Sequence, residues 1–281
     1  MGVFIQAHQD DWQLCMASKA YDDLIEQKDK TLFIYLTAGD ASNPDDRHWK
    51  AREMGARASV NNISSAISKH KCTETYEQRE YNGHYLDYFT IGSASSVFLR
   101  IPDMVNGPSL LQQLKDGNPV TTLGPVMNIF LNWEDLLATI TEIVKRDGVD
   151  ESGVVWFNAI SDCKSSGHRD HKLTAQAVAS VASIIASSYL DKMVNVAWFQ
   201  GTARKILATD DNIHKRVAAL LPYENEMLKI FPDGSHCTLS EPLIVLRKLL
   251  AAEICSHQII SLTRNRRWNW LFLRIRRKGL R

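Results

Sequence analysis

The 281 residues are 44% hydrophobic and 23% charged, ordinary for a soluble globular chain long enough to bury one large core or two small ones. The net charge of +1 hides an asymmetry: residues 264–281 hold eight Lys or Arg and no acid, and without those eight the first 263 residues stand at −7. An acidic body argues against a nucleic-acid enzyme. Five scattered cysteines with no Cys-x-x-Cys pair argue against a disulfide framework or a cysteine-rich zinc site, and for reduced thiols in a cytoplasmic setting. No signal peptide is expected, and the longest apolar stretch, residues 242–262, is broken by Arg247, Lys248 and Glu253 and does not read as a membrane span.

In chain order, residues 3–7 form a short apolar run that reads as a strand. Residues 12–28 then set Ala17, Ala20, Tyr21 and Leu24 on one helical face. Residues 31–37 (TLFIYLT) are continuously apolar, as in a parallel sheet buried on both faces. Ala56, Val60, Ile63 and Ile67 mark another amphipathic helix. Residues 80–132 read as an excursion: Val97, Leu99 and Ile101 alternate with Phe98 and Arg100 like a half-buried strand pair, and a turn-rich stretch follows, with Gly107-Pro108 and Gly124-Pro125. Such an excursion suits a substrate-binding loop or a solvated insertion. Leu136, Ile140, Ile143 and Val144 form a helical stripe, followed by a strand at 154–158, a helix around 171–189 and a strand at 194–199. The alternation implies an α/β chain with a mostly parallel sheet covered on both faces, a Rossmann-like three-layer αβα architecture over residues 1–263.

Ionisable residues cluster where the predicted strands end. The first run leads into His8-Gln9-Asp10-Asp11, the second into Asp40, and the strand at 154–158 into His168-Arg169-Asp170-His171. In open parallel sheets, sites form beyond the carboxyl ends of the strands, so the three clusters are expected on one rim. His8 and His171 offer imidazole nitrogens and Asp11 a carboxylate, and three such ligands leave one position open, as in catalytic zinc sites. Asp10 and Asp11 also suit a plain helix start, where the helix dipole favours acids.

The order of these motifs resembles the PIG-L/LmbE-like de-N-acetylases. Their Ala-His-Pro-Asp-Asp-Glu signature appears as Ala7-His8-Gln9-Asp10-Asp11-Trp12, with Gln9 and Trp12 as departures. Their Thr-x-Gly-Asp element appears as Thr37-Ala38-Gly39-Asp40, their Arg-Glu helix at Arg52-Glu53, and their His-x-Asp-His at residues 168–171. Phe98-Leu99-Arg100-Ile101-Pro102-Asp103 is similar to an element of some members, and Lys215 with Tyr223-Glu224-Asn225-Glu226 to a later one. The resemblance runs from residue 3 to about residue 226.

It implies a hydrolase that removes the N-acetyl group of an amino sugar. His8, Asp11 and His171 are expected to hold a divalent metal, zinc first with Fe²⁺ as alternative, and Asp10 to act as general base. His168 is expected to stabilise the oxyanion, with Asp170 orienting it. Asp40, Arg52, Arg100 and Asp103 are expected near the substrate, with Arg52 read equally as pairing with a neighbouring acid and Arg100 and Asp103 as residues that rim a loop. Trp12 is read either as a stacking platform for a sugar or as packing. The substrate is expected to be a small N-acetylated sugar conjugate such as a secondary-metabolite precursor, with no nucleic-acid partner and a homo-oligomer left open.

The tail interleaves Trp268, Trp270 and Phe272 with basic residues, which suits either peripheral contact with an anionic membrane or packing on the domain. Two rival functions remain at this level. One is a carbohydrate-binding protein without catalysis. The other is a non-haem Fe(II) oxygenase, which uses the same two-histidine, one-carboxylate set but usually on an antiparallel barrel.

Overall fold

A computed structural model describes residues 1–26, 30–43, 45–67, 72–103, 109–149, 153–161, 169–199 and 210–232. Strand β1 (Gly2–Gln6) leads into a short helix α1 (Asp11–Cys15), then α2 (Ala17–Glu26), β2 (Thr31–Thr37) and α3 (Asp46–Ile67). A meander follows: β3 (Glu74–Tyr81), β4 (His84–Ile91) and β5 (Ala94–Ile101). After it come α4 (Leu110–Lys115), a small ribbon of β6 (Val120–Thr121) and β7 (Ile129–Phe130), and α5 (Trp133–Asp147). The chain continues as β8 (Val154–Ile160), α6 (Arg169–Ser188), β9 (Met193–Phe199) and α7 (Asp210–Ile230).

Seven strands form one mixed sheet in the order β3-β4-β5-β2-β1-β8-β9. The five from β5 to β9 run parallel, and β4 pairs antiparallel with both β3 and β5. β1 and β2 are buried at every residue, as continuous apolar runs require when helices cover both faces. Their side chains divide by parity between two cores. Val3, Ile5, Leu32 and Ile34 pack with residues of α4, α5 and α6, whereas Phe4, Phe33 and Tyr35 pack with α1, α2, α3 and α7. This division makes three layers. Helix α5 illustrates the local logic: the Asn132 side chain caps it by accepting from Asp135 N at 2.9 Å, acids fill its first turn, and Lys145 and Arg146 its last.

The region expected as an excursion from residue 80 contains two strands of the main sheet, β4 and β5. The alternation foreseen for residues 97–101 also fails, because all five are buried. Both faces of β5 are covered, with Val97, Leu99 and Ile101 packed in one core and Phe98 in the other, and Arg100 sits at a bulge. Between Tyr35↔Phe98 and Thr37↔Ile101 the β5 strand carries one extra residue, and Arg100 takes φ +59°. Its guanidinium is buried between Glu53 (2.7 and 2.8 Å) and Asp87 (2.6 Å), and lies over the Trp49 ring. Burial pushes the Glu53 carboxyl up, against the hydrogen bond and charge of Arg100.

The helix expected over 12–28 is two helices, with α1 ending at Met16, whose φ of −126° leaves the helical region. Trp12 lies wholly inside the core, its Nε1 donating to the Tyr35 hydroxyl at 3.1 Å and its ring against Phe33, so of its two readings the packing one describes it. Among the described residues, no helix is long and apolar enough to cross a membrane. His168, residues 104–108 and the basic segment 264–281 lie outside the described residues.

Candidate metal centre

The first crossover leaves β1 to one side, for β2 and then β5, and the chain later returns to β1's other edge as β8. Described residues beyond the carboxyl ends of β1, β2 and β5 and the first turn of α6 therefore converge at one switch point, where an open parallel sheet leaves a crevice. The β1 loop brings His8 to Asp11, the β2 loop Asp40, the β5 loop Asp103, and the first turn of α6 brings Asp170 and His171.

Three donor atoms, from the loop after β1, the start of α1 and the first turn of α6, form a small triangle. His8 Nδ1 lies 3.1 Å from His171 Nε2, His171 Nε2 lies 3.0 Å from Asp11 Oδ1, and the third side, His8 Nδ1 to Asp11 Oδ1, is 3.6 Å. Ligand atoms about 2.0–2.1 Å from a tetrahedral ion lie roughly 3.3 Å apart, so both the donor types and their spacing fit a small divalent cation. Asp11 is also tied back to the chain, accepting from the His8 amide at 2.9 Å. Asp10 stands at the N-cap of α1 and makes no side-chain cap hydrogen bond there.

Burial disfavours a charged His8 imidazole, yet hydrogen bonds to Asp103 and Asp11, with their negative charge, lift it to about 10. Burial likewise opposes the Asp11 carboxylate, but the charge and hydrogen bond of His171, with those of His8, hold it well below the usual carboxylate range. His8 Nε2 faces Asp103 Oδ2 at 3.4 Å. His8, Asp103 and Asp170 make a second converging donor group, all three buried. Burial raises Asp170 to about 6, against a hydrogen bond from Ser109 Oγ and with the neighbouring Asp103 adding to the rise.

Of the other expected substrate residues, Asp40 braces the β5 loop, accepting from the Asp103 amide at 2.6 Å; its carboxyl is raised by burial. Arg52 reaches in from α3 and donates Nη2 to Asp10 Oδ1 at 2.5 Å. Arg100 is not brought to this cluster, its guanidinium being held by Glu53 and Asp87. Lys215 pairs with Asp22 at 2.8 Å, and Tyr223 is buried against Gly55 of α3.

Two contributors went unassigned in the sequence. Gln9 links Thr37 to Arg52, and Ser109 holds Asp170. Gln9 was visible as a departure from the signature. Ser109, in a loop 61 residues before its partner, left no signal.

Residues 3–182 match the family described as PIG-L: GlcNAc-PI de-N-acetylase. No curated protein sequence matches the chain. Among solved structures, the fold is similar to an N,N'-diacetylchitobiose deacetylase from Pyrococcus horikoshii, at 12% identity and a TM-score of 0.45, over 83% of this chain and 74% of that one. It is similar to a triple mutant of a deacetylase of the teicoplanin biosynthetic pathway, at 13% identity and 0.45, over 83% and 85%. It is similar too to the 4-carboxy-2-hydroxymuconate hydratase GalB of Pseudomonas putida KT2440, at 12% and 0.43, over 85% and 91%. These structural likenesses are distant and of mixed activity, whereas the family match spans well over half of the chain. The chain belongs to the PIG-L, GlcNAc-PI de-N-acetylase family and is an amide hydrolase of the de-N-acetylase type.

Proposed function

We propose that this chain hydrolyses the N-acetyl amide of an N-acetylglucosaminyl-type conjugate, with a divalent cation held by His8, Asp11 and His171 and with Asp10 as general base. The observation that carries this reading is the triangle of Nδ1, Nε2 and Oδ1 atoms at the switch point, 3.0 to 3.6 Å on a side. When bound, the cation supplies Lewis-acid polarisation of the acetyl carbonyl and a water whose pKa falls to about 7.

The residues divide the remaining work. Asp10 stands one position before a ligand and takes the proton of the attacking water. It then returns that proton to the sugar nitrogen as the carbon–nitrogen bond breaks, leaving acetate and a free amine. Positioned proton transfer of this kind is worth about 10²- to 10⁴-fold in rate. Arg52, at 2.5 Å, aims the Asp10 carboxylate. Asp103 holds the far nitrogen of His8 and so orients the ring. His168 is assigned the developing oxyanion by its place in the His-x-Asp-His motif, and a single donor of that kind contributes roughly 3 kcal/mol. Zinc is the first choice of cation, since two imidazoles and one carboxylate with an open position are a catalytic zinc set.

Acetate release tests the reading. Zinc- and Fe²⁺-reconstituted protein is offered lipid-linked, thiol-precursor and aminoglycoside-type N-acetylglucosaminyl compounds. Release from one class, abolished by chelation and restored by one metal, is the expected result. Sugar binding with no acetate from any class, in metal-loaded protein, contradicts it and favours a binding protein.

A further inference from the structure

Position 9 is where the chain leaves the Ala-His-Pro-Asp-Asp-Glu signature, and the glutamine there is fully buried. Both ends of its amide are used. Nε2 donates to the Thr37 carbonyl at 2.9 Å, and Oε1 accepts from Arg52 Nε at 3.2 Å. These partners fix the amide's orientation, since a carbonyl oxygen only accepts and a guanidinium N–H only donates. Proline could supply neither bond, and glutamate only the second.

Arg52 passes the constraint on. Its guanidinium is a rigid planar fork, so a fixed Nε also fixes the direction of Nη2, which donates to Asp10 Oδ1 at 2.5 Å. The backbone of the β2 loop closes over this contact at Gly39, which has φ +59°. A Cβ there would lie 2.5 Å from Gln9 Oε1 and 2.6 Å from Arg52 Nε. The loops after β1 and β2 and helix α3 are thus tied at one point. That point lies beside Asp10, and its hydrogen bonds run to Thr37 and Arg52 rather than to the metal-ligating triangle.

We propose that Gln9 is a positioning residue for the hydrolytic reaction, setting the direction of the Asp10 carboxylate through Arg52. This rests on Asp10 being the general base. Without Gln9 the metal triangle stays in place, but the Arg52–Asp10 pair loses its fixed bearing. The loss falls on kcat rather than on KM or metal affinity, because only proton transfer needs Asp10 aimed.

The test uses the zinc-reconstituted full chain with Gln9→Met, which fills the space without either hydrogen bond, and Gln9→Glu, which keeps the acceptor facing Arg52. Gln9→Met is expected to lower kcat about 10- to 100-fold, with KM and zinc affinity within about twofold. Gln9→Glu retains more of kcat than Gln9→Met. In an Arg52→Lys background, which lacks Nε, Gln9→Met is expected to add nothing further. An unchanged kcat in Gln9→Met, or equal losses with and without Arg52, overturns the proposal, and so does a loss of zinc affinity that matches the loss of kcat. A second readout is independent of turnover. The Arg52 Nε–H resonance should exchange slowly with solvent in the wild type and in Gln9→Glu, and rapidly in Gln9→Met. Rapid exchange in the wild type also overturns the proposal. If Gln9→Met does not fold, the Gln9→Glu kinetics and the wild-type exchange rate still decide. No acetate from the wild type counts against the functional reading, and the exchange measurement then decides on Gln9 alone.

Discussion

His8 Nε2 stands 3.4 Å from Asp103 Oδ2, while the other nitrogen of the same ring, Nδ1, stands 3.1 Å from His171 Nε2. A carboxylate behind a ligating histidine fixes the tautomer and plane of the ring and makes its other nitrogen a better donor. Asp103→Ala is therefore expected to weaken zinc binding about 10- to 100-fold, read by competition against a chromogenic chelator. Unchanged affinity would leave Asp103 to the substrate alone.

Proton and cation compete for His8. Burial alone would lower its pKa, but Asp103 and Asp11 raise it to about 10. A folded-state value above the unfolded 6.5 stabilises the metal-free protein fully below pH 6.5, and that contribution disappears as pH climbs through 10. Asp170, raised by burial from 3.8 to about 6, loses its contribution in a separate, lower window. The melting temperature of metal-free protein is expected to fall between pH 6.5 and 10, by on the order of 10 °C for a shift worth a few kcal/mol. Zinc takes the proton's place, so the loaded protein should lose less over the same range. Thermal scans with and without chelator check this, and a metal-free melting temperature that stays flat would count against it.

Arg100 is buried between two carboxylates, so its removal leaves Glu53 and Asp87 uncompensated. Arg100→Ala is expected to cost about 3–5 kcal/mol of unfolding free energy, measured by denaturant titration. In whatever fraction folds, KM should be close to that of the wild type. A large rise in KM with stability unchanged would restore Arg100 as a substrate contact.

Gly39 combines a left-handed backbone with a contact that excludes any side chain. Gly39→Ala is expected to cost about 1–3 kcal/mol in stability from backbone strain and crowding. It should also lower kcat, because the crowded atoms belong to Gln9 and Arg52. Equal stability and activity in the variant would mean that the loop shifts without consequence.

What could be read in the sequence was what adjacent residues determine. The apolar run at 31–37 coincides with β2 because a strand buried on both faces needs no partner to declare itself. His8, Asp11 and His171 could be brought together on paper because strand ends of a parallel sheet share one rim. The grip of Glu53 and Asp87 on Arg100 is not legible in the sequence, because both partners are remote in the chain and the bulge that sets Arg100 leaves no mark in composition. Asp103 reads in the sequence as a sugar contact; its approach to His8 depends on how β5 sits on β2 and β2 on β1, which no local pattern encodes. Gln9 was plainly unusual, but its use depends on Thr37 and α3 meeting there.

The central claim is that Asp10 is the base beside a metal held by its neighbours. The most direct measurement compares acetate release by the zinc-loaded wild type and by Asp10→Asn, with metal content determined in both. Asparagine can still accept from Arg52 but cannot take a proton from water. The expected result is equal zinc content, with kcat reduced about 10²- to 10⁴-fold in the variant. Equal zinc content with kcat undiminished would remove Asp10 from the chemistry and contradict the mechanism.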